Sequence, residues 1–354
     1  MTGRDGLNLA TRRPPVEAIL GRLAFVQFPH HHRCVNFHLL LAVAALATNP
    51  VVVTKSRVVL ARDSSAVNGW QIDATKVHAL VAAGIQTLAG TTNESDAWRS
   101  MFSTRDIVGI KIATLAAPSH ATHHPVVDAI VAGLQTAGIT NIIVWDRDPV
   151  KLRQAGYTHA RAVIGDTGWD DGQVYESSLV GKLIWGDREF GKAEPLGTRS
   201  HLPRVLQQIT KLINVPVLMD HDACGLAGCL YNISLGAVDN YRRFEQFGQT
   251  GNPFIAEIAA MPALRSKLTL NITDALIAGY AGGPSFKPQY AWPHAGIYFS
   301  RDPVAQDVVC LEAIQAKRKE AHIPDGEAGH ITTAGKLGLG QSDRAAIELI
   351  EVKP

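Results

Sequence analysis

Short runs of β-branched and apolar residues alternate along this chain with longer segments in which apolar residues recur every three or four positions. The short runs predict strands, and the longer segments predict helices. This alternation is typical of an α/β fold with a mainly parallel sheet flanked by helices. The predicted strands are Arg57 to Ala61, Ile107 to Ile112, Asn141 to Trp145, Leu212 to Leu218, Leu268 to Ile272, Gly296 to Phe299 and Ala346 to Val352.

Several predicted helices carry capping residues at their ends. Asp73 precedes a helical pattern that ends at Gly90, and Asp302 with Pro303 opens another that runs to about Lys319. Aspartate at the N-cap and proline in the first turn both favour the start of a helix. The helices between the strands are therefore expected to have defined ends.

A single α/β domain is predicted over residues 51–354, with an irregular insertion at about 147–205. The insertion is rich in Gly, Asp and Trp and has few periodic runs. Insertions of this kind between strands often form a second small lobe or one wall of a cleft, although a solvated loop region has the same composition.

Residues 1–50 are interpreted as a signal-like or appended N-terminal segment. The apolar run from Phe37 to Ala47 follows the pair Arg12 and Arg13, and Ala45 and Ala47 match a small-residue cleavage site. The run has the length of a signal peptide core and is too short for a stable membrane span. We therefore expect export to the periplasm or beyond; a buried helix in a cytoplasmic protein is the alternative.

Composition narrows the class of partner. The 354 residues are 46% hydrophobic and 19% charged, as in an ordinary globular protein, and the net charge is +2. A charge this small gives no basic field for nucleic acid, so a small-molecule substrate or ligand is expected.

The four cysteines, Cys34, Cys224, Cys229 and Cys310, show no iron-sulfur or zinc spacing. They are interpreted as small buried residues, and a disulfide between Cys224 and Cys229 stays open.

Charged side chains lie at or just after the carboxyl ends of four of the predicted strands. In open parallel sheets, ligands bind beyond the carboxyl ends of the strands, so these residues predict one shared site. They are Lys111, Asp146, the triplet Asp220, His221 and Asp222, and Asp274.

His221 is the best candidate for a general acid or base, because a carboxylate can orient an imidazole whose pKa lies near neutrality. Asp220 or Asp146 is expected to orient it, or Asp220 and His221 to bind a divalent metal. Lys111 and Arg243 are expected to hold negative charge on the substrate. Capping of a helix near Gly225 is the alternative role for Asp222.

Weaker signals lie elsewhere. His123 and His124 precede a helix and are more typical of a surface, although the preceding His120 leaves a metal site open. The glycine-rich loop at 279–288 matches no nucleotide-binding motif.

Several separate motifs resemble the domain of unknown function 362 family, in its exported bacterial branch. They are IVGIKIA, HHPVVDAIVAGLQTAGITNIIVWDR, KLINVPVLMDHDACGLAGCLYNISLGAVDNYRRF, DPVAQD and HITTAGKLGLG. The resemblance implies an α/β fold with an unassigned activity, in a family some of whose members join ferredoxin-type modules. No such module is present in this sequence.

The resemblance also implies which positions matter. Members of this branch often carry twin-arginine signals, and TNESDAWRSMF and QYAWPHAGIYF resemble it too. Where the family shows lysines, this chain has Met219 and Tyr231, so it is a divergent member lacking two cations. The matching positions that the family retains are Lys111, Asp146, Asp220, His221, Asn232, Asn240, Arg243, Asp302 and Asp307.

The sequence thus favours an enzyme acting on a small polar or anionic substrate by Asp/His acid-base or metal-assisted chemistry. Asn232, Asn240, Arg243, Asp274 and Asp222 are its expected substrate-binding residues. A non-catalytic exported solute-binding protein is the first alternative, and a redox protein partnered with an iron-sulfur carrier is the second.

Overall fold

The computed structural model describes residues 55–181, 197–246 and 248–354. The predicted N-terminal segment at 1–50 and Cys34 lie outside these residues, as does part of the predicted insertion, 182–196. Within those ranges, no helix combines the length and the apolar character needed to cross a lipid bilayer.

Strands and helices alternate along most of the chain. The strands are β1 (Ser56–Arg62), β2 (Val67–Asn68), β3 (Gln71–Ile72), β4 (Val108–Ile112), β5 (Ile142–Asp146), β6 (Arg161–Ala162), β7 (Trp169–Gly181), β8 (Gly197–Pro203), β9 (Lys211–Val215), β10 (Val217–His221), β11 (Gly225–Leu226), β12 (Leu268–Gly279), β13 (Ala291–Ser300) and β14 (Ile347–Val352). The α-helices are α1 (Ala74–Ala89), α2 (Glu94–Arg99), α3 (His124–Thr136), α4 (Pro149–Gln154), α5 (Val205–Gln208), α6 (Cys229–Ile233), α7 (Phe254–Ala259), α8 (Pro262–Arg265), α9 (Pro303–Glu320) and α10 (Gly329–Lys336).

Ten strands form one mixed sheet in the order β14-β1-β13-β12-β9-β4-β5-β6, with β10 pairing with β12 and β11 pairing with β10. The pairs from β12 through β9, β4 and β5 to β6 are parallel, and so is the pair of β1 with β14. β13 is antiparallel to both of its neighbours. The fold is therefore α/β with a mostly parallel sheet, as the sequence predicted.

Helices cover both faces of the sheet because the strand residues alternate between two apolar clusters. In β1, Val58 and Leu60 belong to one cluster and Val59 and Ala61 to the other. The first cluster includes residues of α6 and α9, and the second includes residues of α1 and α3. This two-residue period is the one expected for a strand buried on both faces.

The predicted helix caps are confirmed. The Asp73 carboxylate accepts hydrogen bonds from the backbone of Thr75 and Lys76, and Gly90 ends α1 with a φ of 70°. Asp302 caps α9 in the same way, with Pro303 as its first residue.

Two strand boundaries were predicted wrongly. The run from Leu212 to Leu218 is two strands, because Pro216 has no N–H and separates β9 from β10. β12 continues to Gly279, so Asp274 lies inside this strand instead of after it.

The helix expected near Gly225 was also misplaced. Gly225 has a φ of 79°, and a Cβ atom there would lie 2.4 Å from the carbonyl oxygen of Glu327. A tightly packed backbone with left-handed φ suits glycine and does not continue into a helix. α6 begins instead at Cys229, where the Asp307 carboxylate accepts the amides of Cys229 and Leu230 at 2.6 and 2.9 Å.

The region of the predicted insertion contains β6 and an antiparallel pair, β7 and β8. Cys224, Cys229 and Cys310 are buried free thiols, so Cys224 and Cys229 do not pair.

Candidate functional site

A cavity of about 340 Å³ lies beside the carboxyl ends of β4 and β5, bounded by β10, α6 and the loops after β4 and β5. We refer to it as the β4–β5 cavity. Its polar lining includes Lys111, Thr114, His120, Asp146, Arg147, Asp148, Lys151, Gln154, Tyr231, Asn232, Tyr241 and Arg242. Three of the residues selected from the sequence, Lys111, Asp146 and Asn232, therefore meet here.

Lys111 and Asp146 form a buried ion pair in the wall of the β4–β5 cavity. The Lys111 Nζ atom lies 2.7 Å from Oδ1 of Asp146, and the two side chains are 1% and 7% exposed. The ammonium also donates to the side-chain oxygen of Asn232 at 3.0 Å and to the carbonyl of Ile112 at 2.8 Å. These three acceptors use all three of its N–H groups.

The Asp146 carboxylate is equally satisfied. Its Oδ2 atom accepts the backbone N–H of Thr114 at 2.8 Å and the Thr114 hydroxyl at 2.6 Å, while Oδ1 accepts the amide of Arg147 at 2.7 Å besides Lys111. Burial lowers the pKa of Lys111, and the neighbouring carboxylate opposes this shift. The pair therefore has little unused hydrogen-bonding capacity.

The register of the sheet explains why a lysine sits at this position. Ile110 and Ile112 point into one apolar cluster, so Lys111 points to the opposite face. Opposite Lys111 lies Asn214 in β9, and opposite Asn214 lies Asn271 in β12. Asn271 in turn pairs with Ser300 in β13. We refer to Lys111, Asn214, Asn271 and Ser300, which lie side by side across four strands, as the polar row.

Hydrogen bonds join this row of polar residues to the cavity. The Asn232 amide donates to Asn214 at 2.8 Å, Asn214 donates to Asn271 at 3.0 Å, and Asn271 donates to the carbonyl of Ser300 at 3.3 Å. All of these side chains are buried. The row satisfies polar groups that would otherwise be costly inside the sheet.

Among the residues that the structure describes, cations outnumber acids around the β4–β5 cavity. The cations are Lys111, Arg147, Lys151 and Arg242, and the acids are Asp146 and Asp148. Arg147 donates to the carbonyls of Leu235 and Val238, and its guanidinium lies 3.6 Å from the ring centre of Tyr241. Asp148 caps α4 through the amides of Val150 and Lys151.

His221 lies close to the β4–β5 cavity but does not line it. Its Nδ1 atom accepts the amides of Ala223 and Cys224 at 3.2 and 3.3 Å, so Nε2 carries the proton in the neutral ring. Nε2 lies 3.3 Å from the Glu245 carboxylate. Tyr231, whose ring centre lies 4.9 Å from that of His221, forms the cavity wall and donates to Glu245 at 2.7 Å.

The ligand atoms of His221, Cys224 and Glu245 lie within 4.8 Å of one another, and in the described part of the chain this is the group with potential metal-binding geometry. Asp220 is not a member. Both carboxylate oxygens of Asp220 accept the amide of Gly283, at 3.1 and 3.2 Å, and one lies 3.9 Å from Arg318. Burial raises the pKa of Asp220 to about 6.

Four further residues selected from the sequence lie away from the β4–β5 cavity: Asp222, Asn240, Arg243 and Asp274. The exposed Asp222 does not cap α6; its amide donates to the carbonyl of Gly283 at 2.9 Å. Asn240 donates to the carbonyls of Gly197 and Arg199.

Arg243 donates to the carbonyls of Ser177, Leu179 and Thr198 and to the hydroxyl of Ser200. Arg243 and Asn240 therefore hold the β7–β8 hairpin. Asp274 is fully buried. Its carboxylate forms hydrogen bonds with the backbone N–H and with the Nδ1 atom of His123, each at 2.7 Å.

Sequence reasoning gave little weight to His120 and none to Glu245. His120 lines the cavity from the loop after β4, and Glu245 contacts His221 across 24 positions of sequence. His120 lies in a loop, and Glu245 follows Phe244; neither belongs to a periodic pattern or a motif, so only the folded chain distinguishes them from surface residues.

The profile of the family described as Domain of unknown function (DUF362) matches residues 108–312, which is more than half of the chain. The chain therefore belongs to this family. No curated protein matches the chain. Among solved structures, a crystal structure of a protein from Thermotoga maritima is 12% identical with a TM-score of 0.37, over 73% of this chain and 61% of that one. The chain thus spans under two thirds of that protein's length.

Proposed function

We propose that this protein is an enzyme that binds a small anionic substrate in the β4–β5 cavity and acts on it by acid-base chemistry. The observation that carries the proposal is the buried Lys111 ammonium in the cavity wall, with Arg147, Lys151 and Arg242 around the same space. Among the described residues, four cations against two acids line the cavity, a balance that favours an anion.

The size and the lining of the β4–β5 cavity support a small ligand. A volume of about 340 Å³ lies at the low end for small-molecule sites, which suits a metabolite with few heavy atoms. Apolar residues such as Val217, Met219 and Ile164 share the lining with the charged groups. Such walls lower the local dielectric and strengthen the attraction of an anion to the cations.

In this proposal Lys111 and Asp146 act through their charge and by ordering the wall. Each already fills its hydrogen-bonding positions, so neither can bond a substrate without giving up a present partner. Their neighbours Asn232 and Thr114 are fixed by the pair and lie in the same wall. A preorganised polar wall of this kind stabilises charge that develops during a reaction.

The test is calorimetric titration with small carboxylates and phosphate esters, each followed by an assay of product formation. Lys151→Met removes one cavity cation, whereas Lys336→Met removes an exposed cation at the end of α10. We expect at least one anion to bind, with affinity reduced several-fold by Lys151→Met and unchanged by Lys336→Met. No binding by any anion in the panel would refute the proposal.

Turnover separates the enzyme from the non-catalytic solute-binding protein. Both use the same cavity, so binding alone supports either function. Formation of product at a rate proportional to protein concentration, and lost in the binding-deficient variant, supports the enzyme. Tight binding without any product supports the solute-binding protein.

A metal-assisted form of the function is favoured by one observation, the convergence of His221, Cys224 and Glu245. His221, Cys224 and Glu245 would hold the ion; if Nε2 of His221 were its ligand, Nδ1 would carry the proton of the neutral ring and could no longer accept the amides of Ala223 and Cys224. Elemental analysis of the purified protein tests this form. One equivalent of zinc in the wild type and none in Cys224→Ser would establish it, and its absence from both leaves the acid-base form.

A further inference from the structure

His120 is a lining residue of the β4–β5 cavity whose imidazole has unused capacity. The residue is 6% exposed, and its Nε2 atom has no hydrogen-bond partner among the described residues. A buried polar atom without a partner is costly, and such atoms concentrate where a ligand supplies the missing bond. Lys111 and Asp146 fill their own hydrogen-bonding positions, whereas this nitrogen of His120 has an unused one.

The protonation state of the ring follows from its surroundings. Burial and the charge of His123 lower the pKa of His120 to about 4, so the ring is neutral near pH 7. The backbone of Ile277 beside the ring favours the protonated form and partly opposes this shift in the pKa. A neutral imidazole has a proton on one nitrogen and a lone pair on the other, and Nε2 is buried without a hydrogen-bond partner among the described residues.

The orientation of the ring is held on two sides. Phe286 stacks on it with ring centres 4.6 Å apart, and His123 meets it edge to face at 5.3 Å. His123 is in turn held by the Asp274 carboxylate, which forms hydrogen bonds with the backbone N–H and the Nδ1 atom of His123, each at 2.7 Å. The His123–Asp274 pair is thus a carboxylate-oriented imidazole, positioned against the ring of His120.

The pKa values of the neighbouring His120 and His123 are shifted in opposite directions. The Asp274 carboxylate raises the pKa of His123 despite its burial, whereas the pKa of His120 is lowered. Adjacent groups whose pKa values are driven apart mark a division into an acid and a base. The interaction with His123 lowers the pKa of His120, and an anion beside His120 would raise it toward neutrality.

We propose that His120 is the general base of the β4–β5 cavity and that the substrate is a small anion bearing a hydroxyl group, an inference that rests on the proposed function. The hydroxyl proton passes to Nε2, and the electrons of the broken O–H bond stay on the substrate oxygen. The resulting imidazolium returns the proton to the product or to water. The His123–Asp274 pair is the positioning element.

Two pairs of probes isolate the hydroxyl group: propionate against lactate, and succinate against malate. The variant is His120→Phe, which keeps a ring on Phe286 and removes both nitrogens. The matched control is His124→Phe, because His124 also stacks on an aromatic ring, that of Tyr157 at 4.0 Å, and does not line the cavity.

The wild type and His124→Phe are expected to bind the hydroxylated member of at least one pair about tenfold more tightly. A factor of this size is the contribution of one hydrogen bond. His120→Phe is expected to bind both members equally, with its thermal stability measured alongside. Discrimination that survives in His120→Phe overturns the inference alone, whereas an absence of binding by all four probes and by the wider anion panel overturns the proposed function and this inference together.

Nitrogen-15 spectra of the wild type test the same idea without a ligand. The Nε2 atom of His120 is expected to show the shift of an unprotonated nitrogen at pH 7. A protonated Nε2, in either the imidazolium or the other tautomer, overturns the assignment of His120 as the base.

Discussion

The Lys111 ammonium and the Asp146 carboxylate lie 2.7 Å apart, and the groups around them fill the hydrogen-bonding positions of both. A buried pair of this kind contributes little net stability compared with apolar residues of the same volume. Removing one member, however, leaves an uncompensated charge in the protein interior. The stability loss of the double substitution is therefore expected to be much smaller than the sum of the losses of the two single substitutions.

We expect Lys111→Met to lower the free energy of unfolding by about 3 to 5 kcal/mol, because the Asp146 charge then loses its partner. The double variant Lys111→Met/Asp146→Leu is expected to recover a large part of this loss, since no charge is left buried. Urea unfolding of Lys111→Met, of Asp146→Leu and of the double variant measures the coupling between the two charges. If the stability losses of the two single variants simply add in the double variant, the two charges do not interact.

A second prediction concerns Asn214, which lies at the centre of the polar row. Its amide bonds Asn271 and the carbonyl of Cys229, and its oxygen accepts from Asn232. Asn214→Leu leaves these groups unsatisfied, at about 1 to 3 kcal/mol each. Urea unfolding is expected to show a loss in this range or larger, whereas the exposed Asn141→Leu is expected to change stability by under ~0.5 kcal/mol. A loss no greater than that of Asn141→Leu would show that the row is not needed.

The sequence predicted the class of fold and most strand positions because apolar runs and capping residues are local signals. Lys111 and Asp146 were selected by the same logic, since each ends an apolar run on a parallel strand. Their catalytic roles stay predictions. The polar row was not predictable, because Asn214 and Asn271 are 57 positions apart and only the register of β9 against β12 places them together.

The partners of individual side chains were beyond the reach of the sequence. Arg243 was expected to hold an anionic substrate, but it binds backbone carbonyls of the β7–β8 hairpin. Asp274 was placed after a strand, and it lies within β12, bonded to His123. In each case the charge indicated an important position, but the group that satisfies it comes from a distant segment of the chain.

The role of Arg243 leads to a third prediction. Because its guanidinium joins carbonyls of both strands of the β7–β8 hairpin, Arg243→Met is expected to loosen that hairpin. Hydrogen exchange of peptides from 169–181 and 197–203 is expected to accelerate about tenfold, which corresponds to about 1.4 kcal/mol of local stability. Exchange in β4 and β5 should stay unchanged.

The control for this prediction is Arg344→Met, which removes an arginine that pairs with Glu312 on the surface. It should leave exchange in the hairpin at the wild-type rate. If Arg243→Met behaves like this control, the hairpin is held by other contacts.

The fourth prediction concerns the pH dependence of stability through Asp220. Burial raises the pKa of Asp220 to about 6 in the folded protein from an ordinary value of 3.8. The folded state therefore binds the proton more tightly than the unfolded chain does, so this group destabilises the fold progressively as the pH rises from about 4 to 6. Below pH 4 the penalty is absent, and above pH 6 it is constant.

Asp220→Asn keeps an oxygen that can accept the Gly283 amide but removes the titration. Relative to the wild type, this variant should therefore gain stability between pH 4 and pH 7, by at most about 3 kcal/mol. Urea unfolding at half-unit steps of pH measures the difference. Asp222→Asn, a change of the same charge at an exposed neighbouring side chain, provides the control. A stability difference between Asp220→Asn and the wild type that stays constant from pH 4 to 7 would show that Asp220 is charged in the fold throughout this range, held so by Arg318 at 3.9 Å.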